Sequence, residues 1–482
     1  MTKAVTTLLF LLFLLIPFQK RFHGYFDRLS RSLPLPDLPL PDFFSRKLHL
    51  FVSDFLIVAL ALLILFSLKT SLRAFFWEGS SKYLTLLFFA FFVSTATSLT
   101  KTYPLQYCRL FEFSLIFLFF NGIRCLSAKI DLPRFIYRLA WLIVYVSIAQ
   151  CALGIYQYFT QEAIGLALFG EKSPKTFVFH NPGNHTWILN GLFGIKHDLN
   201  YLFRVSGTFL HPNILGGFLF FAILAAYYLY GTIFSKIKRI GLQLLILLQF
   251  FTLYLSFSRA AILALTISTL LWCVLQWNYL RRKRESNSAS LKRLGILGGT
   301  VLCGVVAGIV LLYPQIKGRG GLINYNSVSK GADSERVIYM KVAVDMIKEH
   351  PLLGVGYNNF QLHSHLVKSK FPDNHLFAKV HNIYLLIASE SGLIGGGFFL
   401  LFLVSLLRTA WRGFRSADFF QEKAFLFSTF LGFLIIGCCD FYFLEGPQGA
   451  LPFFGVAGLL YGISSYFFKP LTVKYGPVGP SE

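Results

Sequence analysis

The sequence predicts an all-α polytopic membrane protein with about twelve transmembrane helices. Hydrophobic residues make up 55% of the 482-residue chain and charged residues only 14%, and the mean hydropathy is +0.60. Soluble domains carry about 25% charged residues. The deficit here comes from repeated apolar runs of about 15 to 25 residues, which is the length that crosses a bilayer. These runs are continuously apolar rather than alternating, which excludes a transmembrane β-barrel.

The apolar runs predict the individual spans. They lie at 4–18, 50–68, 83–99, 106–122, 136–159, 212–233, 240–256, 260–280, 294–313, 383–407, 424–443 and 449–468. The first run is as short as a signal-peptide core, but no small-residue cleavage site follows it, so it is predicted to be a helix. Residues 1–482 are predicted to form a single transmembrane domain without a soluble domain or an internal repeat.

Basic residues in the short connections predict the orientation of the chain. Lys and Arg are concentrated in four connections, at 122–138, 235–239, 281–293 and 408–423. The positive-inside rule places these connections, and with them both termini, in the cytoplasm. Two long loops, 160–211 and 314–382, then lie on the opposite face, the second between spans nine and ten. The segment 19–49 disagrees with this orientation because it is basic and yet predicted to be external.

Neither the net charge nor the cysteines indicate a soluble partner or a cofactor. The net charge of +23 arises mostly in short connections, and no basic patch interleaved with aromatic residues indicates nucleic-acid binding. The seven cysteines lie mostly within or beside apolar runs and form no CxxC pair. His180 and His185 are five residues apart without a carboxylate, which is a poor metal-ligand set. No cofactor and no metal are therefore expected.

The second long loop contains a segment with helical periodicity. Four apolar residues share one helical face: Val337, Met340, Val344 and Ile347. Asp333 or Ser334 is predicted to cap the start of this helix, and Pro351 to end it. The pattern predicts an amphipathic helix on the outer side of the membrane, with Arg336 in its first turn.

Two arginines are candidates for anion binding. A cation in a first helical turn opposes the helix dipole, so Arg336 is favoured there if an anion docks at the same helix end. The alternative is a solvated side chain paired with Asp333 or Glu335. Arg259 lies among serines at the outer end of an apolar run. Its guanidinium is suited to bidentate phosphate binding. The alternative is a side chain that only extends from the membrane edge into water.

Polar residues also precede the apolar run at 212–233. Arg204 and the His211-Pro-Asn213 sequence lie at its predicted outer end. They indicate either a turn in which Asn213 caps the helix or part of a polar site.

His381 lies at the start of the run at 383–407. A helix N-terminus favours the neutral imidazole, which can act as a general base at a membrane surface. The alternative is an interfacial histidine with a structural role. Glu390 lies nine residues further on, on the opposite helix face and about 13 Å along the axis. It is predicted to be buried against another helix without contacting His381, while Gly392 and the glycines at 395–397 allow a neighbouring helix to approach closely.

Five short motifs, taken together and in this order, resemble the O-antigen ligase and polymerase superfamily of bacterial membrane glycosyltransferases. They are GTFLHPNILG at 207–216, SFSRA at 256–260, SER at 334–336, HPLLGVGY at 350–357 and HNIYLLIASESG at 381–392. The resemblance covers residues from about 200 to 440 and rests on the set of motifs rather than on one of them.

The resemblance implies the chemistry and the site. A glycan would pass from undecaprenyl diphosphate to an acceptor hydroxyl on the periplasmic face of the bacterial inner membrane, with inversion and without a metal. His381 would be the catalytic base, and three arginines would hold the diphosphate: Arg259, Arg336 and, in a helping role, Arg204. Four residues would support the site: His211, Asn213, Asn382 and Tyr357.

The motifs leave the acceptor open. A ligase of lipopolysaccharide biosynthesis accepts lipid A–core, a polymerase accepts a carrier-linked repeat unit, and a third branch accepts protein hydroxyls. We expect a ligase, with the polymerase as the main alternative. A non-enzymatic membrane transporter is the alternative of a different class, but polar residues clustered at the outer helix ends favour an interfacial enzyme.

Overall fold

The computed structural model describes residues 2–18, 52–67, 70–98, 103–166, 171–172, 178–180, 201–282, 288–318, 327–366, 379–444 and 446–465. Structural statements below refer to these ranges. The predicted external segment 19–49, His185 and much of the loop at 160–211 lie outside the described residues.

The described chain is helical apart from one short strand pair. The first part contains α1 (Thr2–Leu14), α2 (Val52–Ser67), α3 (Leu72–Trp77), α4 (Ser81–Ala96), α5 (Tyr103–Ser127), α6 (Leu132–Thr160), β1 (Val178–His180) and β2 (Tyr201–Phe203). The second part contains α7 (Pro212–Thr232), α8 (Lys236–Leu255), α9 (Arg259–Arg282), α10 (Ser288–Gly318), α11 (Ser327–Glu349), α12 (Phe360–Leu366), α13 (Ile383–Gly413), α14 (Phe420–Gly437), a 3₁₀ turn (Tyr442–Leu444) and α15 (Pro447–Ser465). β1 and β2 are antiparallel.

The predicted fold class is confirmed. Within the described ranges, eight helices are long and apolar enough to cross a membrane: α5, α6, α7, α8, α9, α10, α13 and α14. Four of the predicted apolar runs coincide with shorter or less apolar helices, α1, α2, α4 and α15. The centre of the bundle is formed by α7 and α15, which are buried almost throughout, whereas α10 is largely exposed and packs mainly against α8.

Helix α13 is broken at Gly392, where the backbone adopts φ 68° and ψ −174°. A Cβ at this position would collide with the carbonyl group of Leu352, so only glycine fits. The 21 residues from 393 to 413 extend about 31 Å, which is sufficient to cross the hydrocarbon core. The part of α13 that follows Gly392 is therefore long enough to cross a membrane by itself.

The turn that follows α11 docks on this break. Three backbone hydrogen bonds join the two segments: Val355 N–H to the Ser389 carbonyl (3.0 Å), Gly356 N–H to the Glu390 carbonyl (3.0 Å) and Leu393 N–H to the Pro351 carbonyl (2.7 Å). The turn thereby satisfies backbone groups that the interrupted helix leaves unpaired.

Glu390 is buried, as the sequence predicts, with 2% of its surface exposed. Its Oε1 accepts a hydrogen bond from the Phe360 N–H (3.3 Å), so it caps α12. Close helix approach is seen at Gly395, where an added Cβ would touch Ala90 of α4, whereas an added Cβ at Gly397 would meet open space.

The expected start of α11 is wrong, and its apolar face differs from its buried face. The helix begins at Ser327, so Arg336 is its tenth residue and does not lie in the first turn beside Asp333 or Ser334 as caps. The predicted apolar face is the more exposed one, because Val337, Met340 and Val344 all reach the surface. The buried face carries four other residues: Tyr339, Val342, Ala343 and Met346. Both faces of α11 are apolar, so periodicity alone cannot choose between them. The end of the helix before Pro351 agrees with the expectation.

Candidate active site

His381 immediately precedes α13 and is positioned by the cap of that helix. The Oδ1 of Asn382 accepts hydrogen bonds from the N–H groups of Tyr384 and Leu385, both at 3.0 Å. Its Nδ2 donates to the carbonyl oxygen of Cys438 at 3.1 Å. Asn382 therefore fixes the start of α13 against the segment that follows α14.

That segment carries a carboxylate that faces His381. Asp440 is 5% exposed, and its Oδ1 lies 3.6 Å from His381 Nδ1. Within the described part of the chain, this Nδ1 is buried and makes no hydrogen bond. The separation is slightly longer than a hydrogen bond, as is common in catalytic pairs without substrate. The arrangement is a histidine and carboxylate pair at the end of the helical bundle.

A directional chain of hydrogen bonds connects Arg204 with this pair. Arg204 follows β2; its Nη2 donates to Asn213 Oδ1 (2.5 Å), and its Nε donates to the carbonyl oxygen of Ser256 (2.8 Å). Asn213 Nδ2 in turn donates to Asp440 Oδ2 (2.7 Å). A guanidinium can only donate, so the amide orientation of Asn213 is determined, and Asp440 must accept.

The surroundings of Asp440 keep its carboxylate ionised. Burial alone would raise its pKa, but the interaction with His381 and the hydrogen bond from Asn213 outweigh burial, and the pKa is lowered. An ionised acceptor opposite Nδ1 favours the tautomer that carries its proton there, as assigned from the hydrogen-bond network. Nε2 of His381 is then left as a proton acceptor.

His211 has a structural position beside this chain. It is the N-cap of α7, and its Nδ1 accepts a hydrogen bond from the Asn213 N–H at 3.1 Å, so the cap is His211 and not Asn213. Burial, followed by the positive charge of Arg204, lowers the pKa of His211 to about 3. The ring is therefore neutral at physiological pH and holds the turn that presents Asn213.

Arg259 and Arg336 act on the same segment from two different helices. Arg259 is the exposed first residue of α9, and Arg336 is half-buried on α11. Burial raises the pKa of Cys439, and the positive charges of Arg336 and Arg259 both lower it. Cys439 adjoins Asp440 in sequence, so both cations act electrostatically on the segment that carries this carboxylate.

Tyr357, one of the four residues predicted to support the site, is buried in an aromatic cluster. Its buried ring stacks on Phe91 at 4.1 Å and meets Phe113 edge-on at 6.3 Å, so it packs in the aromatic core between α4 and α5.

Sequence reasoning missed Asp440. The residue lies in the run at 424–443, which was predicted to be membrane-spanning, whereas α14 ends at Gly437. An acidic residue inside an otherwise apolar run is by itself a candidate for a functional site, and this signal was present in the sequence.

One known protein family matches part of the chain. Residues 244–400 match the model of the family described as O-antigen ligase. This match supports the resemblance to the O-antigen ligase and polymerase superfamily and a function of the ligase or polymerase type in general. No curated protein matches the chain significantly.

The match contains only part of the candidate site. It includes Arg259, Arg336 and His381, while Arg204, Asn213 and Asp440 lie on either side of the matched residues. The hydrogen-bond chain that reaches His381 therefore comes from segments outside the match.

Proposed function

We propose that the chain is an O-antigen ligase that transfers a glycan from undecaprenyl diphosphate to a hydroxyl group of lipid A–core. The observation that carries the proposal is the pairing of His381 with the buried Asp440 beside two arginines, within a polytopic membrane protein. The pair supplies a base for a hydroxyl group, and the arginines supply charge for a diphosphate.

In the proposed reaction, the acceptor oxygen forms a bond to the anomeric carbon of the donor glycan. The bond from that carbon to the diphosphate oxygen breaks, and undecaprenyl diphosphate leaves with the electron pair. The acceptor proton moves to Nε2 of His381, and the carboxylate of Asp440 stabilises the resulting imidazolium. Attack opposite the leaving group inverts the anomeric centre.

The two arginines have a different task from Arg204. Arg259 and Arg336 bind the diphosphate and offset the negative charge that develops as it leaves, so this role needs no metal ion. Arg204 donates to Asn213 and to the Ser256 carbonyl, and it therefore positions the Asp440 carboxylate rather than serving mainly as a diphosphate ligand.

The proposed location is the bacterial inner membrane, with both termini in the cytoplasm and the site facing the periplasm. The basic connections support this orientation through the positive-inside rule. Protease accessibility of tags at both termini in intact spheroplasts tests it. Cleavage of either tag before lysis contradicts the orientation.

Transfer by the purified protein tests the enzymatic proposal. With an undecaprenyl diphosphate-linked glycan and lipid A–core, we expect glycan transfer and release of the carrier. His381→Ala and Arg336→Ala should each reduce both by at least about 100-fold. Lys341→Ala, which changes an exposed cation on the same helix as Arg336, is the matched control and should retain activity. Transfer that survives both site substitutions contradicts the assignment of these residues to the site. Absence of transfer by the wild-type protein contradicts the enzymatic assignment and favours a transporter.

The choice of acceptor separates the ligase from its relatives. Product formed from carrier-linked repeat units but not from lipid A–core identifies a polymerase. Product formed only on a protein hydroxyl identifies a protein O-glycosyltransferase. Product on lipid A–core alone supports the ligase.

A further inference from the structure

Three side chains with metal-binding atoms meet where α11 ends. Glu349 is the last residue of α11, His350 follows it, and His363 lies on α12. One ligand atom from each lies within 4.8 Å of the ligand atoms of the other two. The two imidazole rings meet edge to face, with centroids 5.5 Å apart.

An independent observation at this cluster concerns His363. The residue is 8% exposed, and its Nδ1 is buried without a hydrogen-bond partner in the described part of the chain. A buried polar atom without a partner is unfavourable and uncommon in native proteins. The edge-to-face contact with His350 does not satisfy this nitrogen, because ring packing supplies neither a proton donor nor a lone pair. A metal ion coordinated by this nitrogen would supply such a partner.

The electrostatic setting favours a cation. The cluster lies at the C-terminus of the 23-residue helix α11, where the helix dipole attracts positive charge. Glu349 adds a negative charge. The neighbouring Lys348 is directed towards Asp345, with Nζ 3.7 Å from its carboxylate, and the two side chains form an exposed ion pair on the same helix.

The ligand types indicate which cation fits. Two imidazoles and one carboxylate suit Zn²⁺ and related transition metals, whereas Mg²⁺ and Ca²⁺ prefer oxygen ligands. Tetrahedral ligands at the usual zinc distances lie about 3.3 Å apart, so the cluster must close by roughly 1.5 Å. Glu349 and His350 both reach solvent, and rotation of their side chains provides this movement.

We propose that Glu349, His350 and His363 form a structural Zn²⁺ site that joins the end of α11 to α12. Water completes the coordination from the solvent side. The residues between the ligands include the turn that docks on the break in α13, so the metal closes a short loop around that turn. The metal takes no part in glycan transfer, and the inference goes beyond the proposed function.

Zinc titration of the purified full-length protein tests the site. After treatment with a chelator, we expect calorimetry to show one Zn²⁺ bound per chain, with a rise in the thermal unfolding temperature. His350→Ala and Glu349→Gln should each weaken binding at least ten-fold and abolish most of that rise. Both residues reach solvent, so these variants are not expected to impair folding. Asp345→Asn removes a carboxylate one turn earlier on α11 and should bind like the wild type.

Binding, rather than glycan transfer, is the readout, so failure of this inference is distinguishable from failure of the proposed function. Absence of saturable Zn²⁺ binding to the wild-type protein overturns the proposal. Unchanged affinity in His350→Ala also overturns it, because the ion then binds elsewhere. Equal affinity for Mg²⁺ contradicts the assigned ligand chemistry.

Discussion

Asp440→Asn is the sharpest perturbation that the site offers, because the hydrogen bonds around Asp440 have a fixed direction. Arg204 can only donate, so Asn213 must direct its NH₂ group towards residue 440. The introduced amide must then turn its oxygen towards Asn213 and its own NH₂ group towards His381. Nδ1 of His381 becomes a proton acceptor, and the proton is forced onto Nε2. The substitution therefore removes the base while preserving the shape of the site.

The size of the effect follows from the geometry. Asp440 Oδ1 lies 3.6 Å from His381 Nδ1. At an effective dielectric constant of about 20, a carboxylate at this separation stabilises an imidazolium by about 4–5 kcal/mol. The introduced amide retains some polarity, so we expect a loss of about 2–4 kcal/mol of transition-state stabilisation. This corresponds to a decrease in kcat of about 30- to 1000-fold.

The assay is transfer from saturating undecaprenyl diphosphate-linked donor, with kcat and donor KM measured separately. Donor KM should change little, because the arginines that bind the diphosphate are retained. Glu422→Gln is a matched control. Glu422 lies half-buried in the first turn of α14, and its carboxylate accepts a hydrogen bond from the hydroxyl of Tyr228 on α7. This substitution should keep kcat within about two-fold of the wild-type value. A kcat of Asp440→Asn above half the wild-type value, with the protein folded, refutes the reasoning.

Three further predictions concern other parts of the molecule. Arg204→Lys should lower kcat about ten-fold at unchanged donor KM, because an ammonium group cannot reproduce the planar pair of donors. A raised donor KM with unchanged kcat would instead identify Arg204 as a diphosphate ligand. Gly392→Ala should destabilise the protein by about 2–4 kcal/mol in chemical or thermal unfolding, while Gly397→Ala, which faces open space, should stay within about 1 kcal/mol. The pKa of His211 is about 3 in the folded protein and about 6.5 in the unfolded chain. Between these pH values the unfolded chain binds more protons than the folded protein. The free energy of unfolding therefore falls as the pH decreases below about 6.5. Between pH 7 and 5 we expect a loss of about 1–2 kcal/mol that His211→Asn abolishes; an equal loss in that variant contradicts the assignment.

The positions of the membrane helices were predictable because long apolar runs are a strong local signal. The break at Gly392 was not, because its cause is a turn that docks from elsewhere in the chain. The buried face of α11 was not predictable either, since its two faces differ little in apolar character.

In the candidate site too, residues within local sequence motifs were predictable, whereas residues that depend on tertiary contacts were not. His381, Arg259 and Arg336 were recognised through short motifs around each residue. Asp440 was not, because its relation to His381 depends on how the segment after α14 meets the start of α13, with 58 residues between the two in sequence. Arg204 was recognised as polar and significant, but only its hydrogen bonds show that it orients another side chain.

The docked turn holds the C-terminal end of α11 in place, so a tilt of the helix about this end moves residues near its N-terminus. Arg336 lies 13 residues from Glu349, which corresponds to about 20 Å along the helix axis. A tilt of 10° about the docked end would displace this arginine by about 3.5 Å, enough to replace a direct phosphate contact with one through water. Catalytic geometry tolerates displacements of only about 0.5 Å, which limits the tilt to about 1.5°. For the proposed role of Arg336, the docked turn and the packing of the buried face of α11 therefore together limit how far this charge can move.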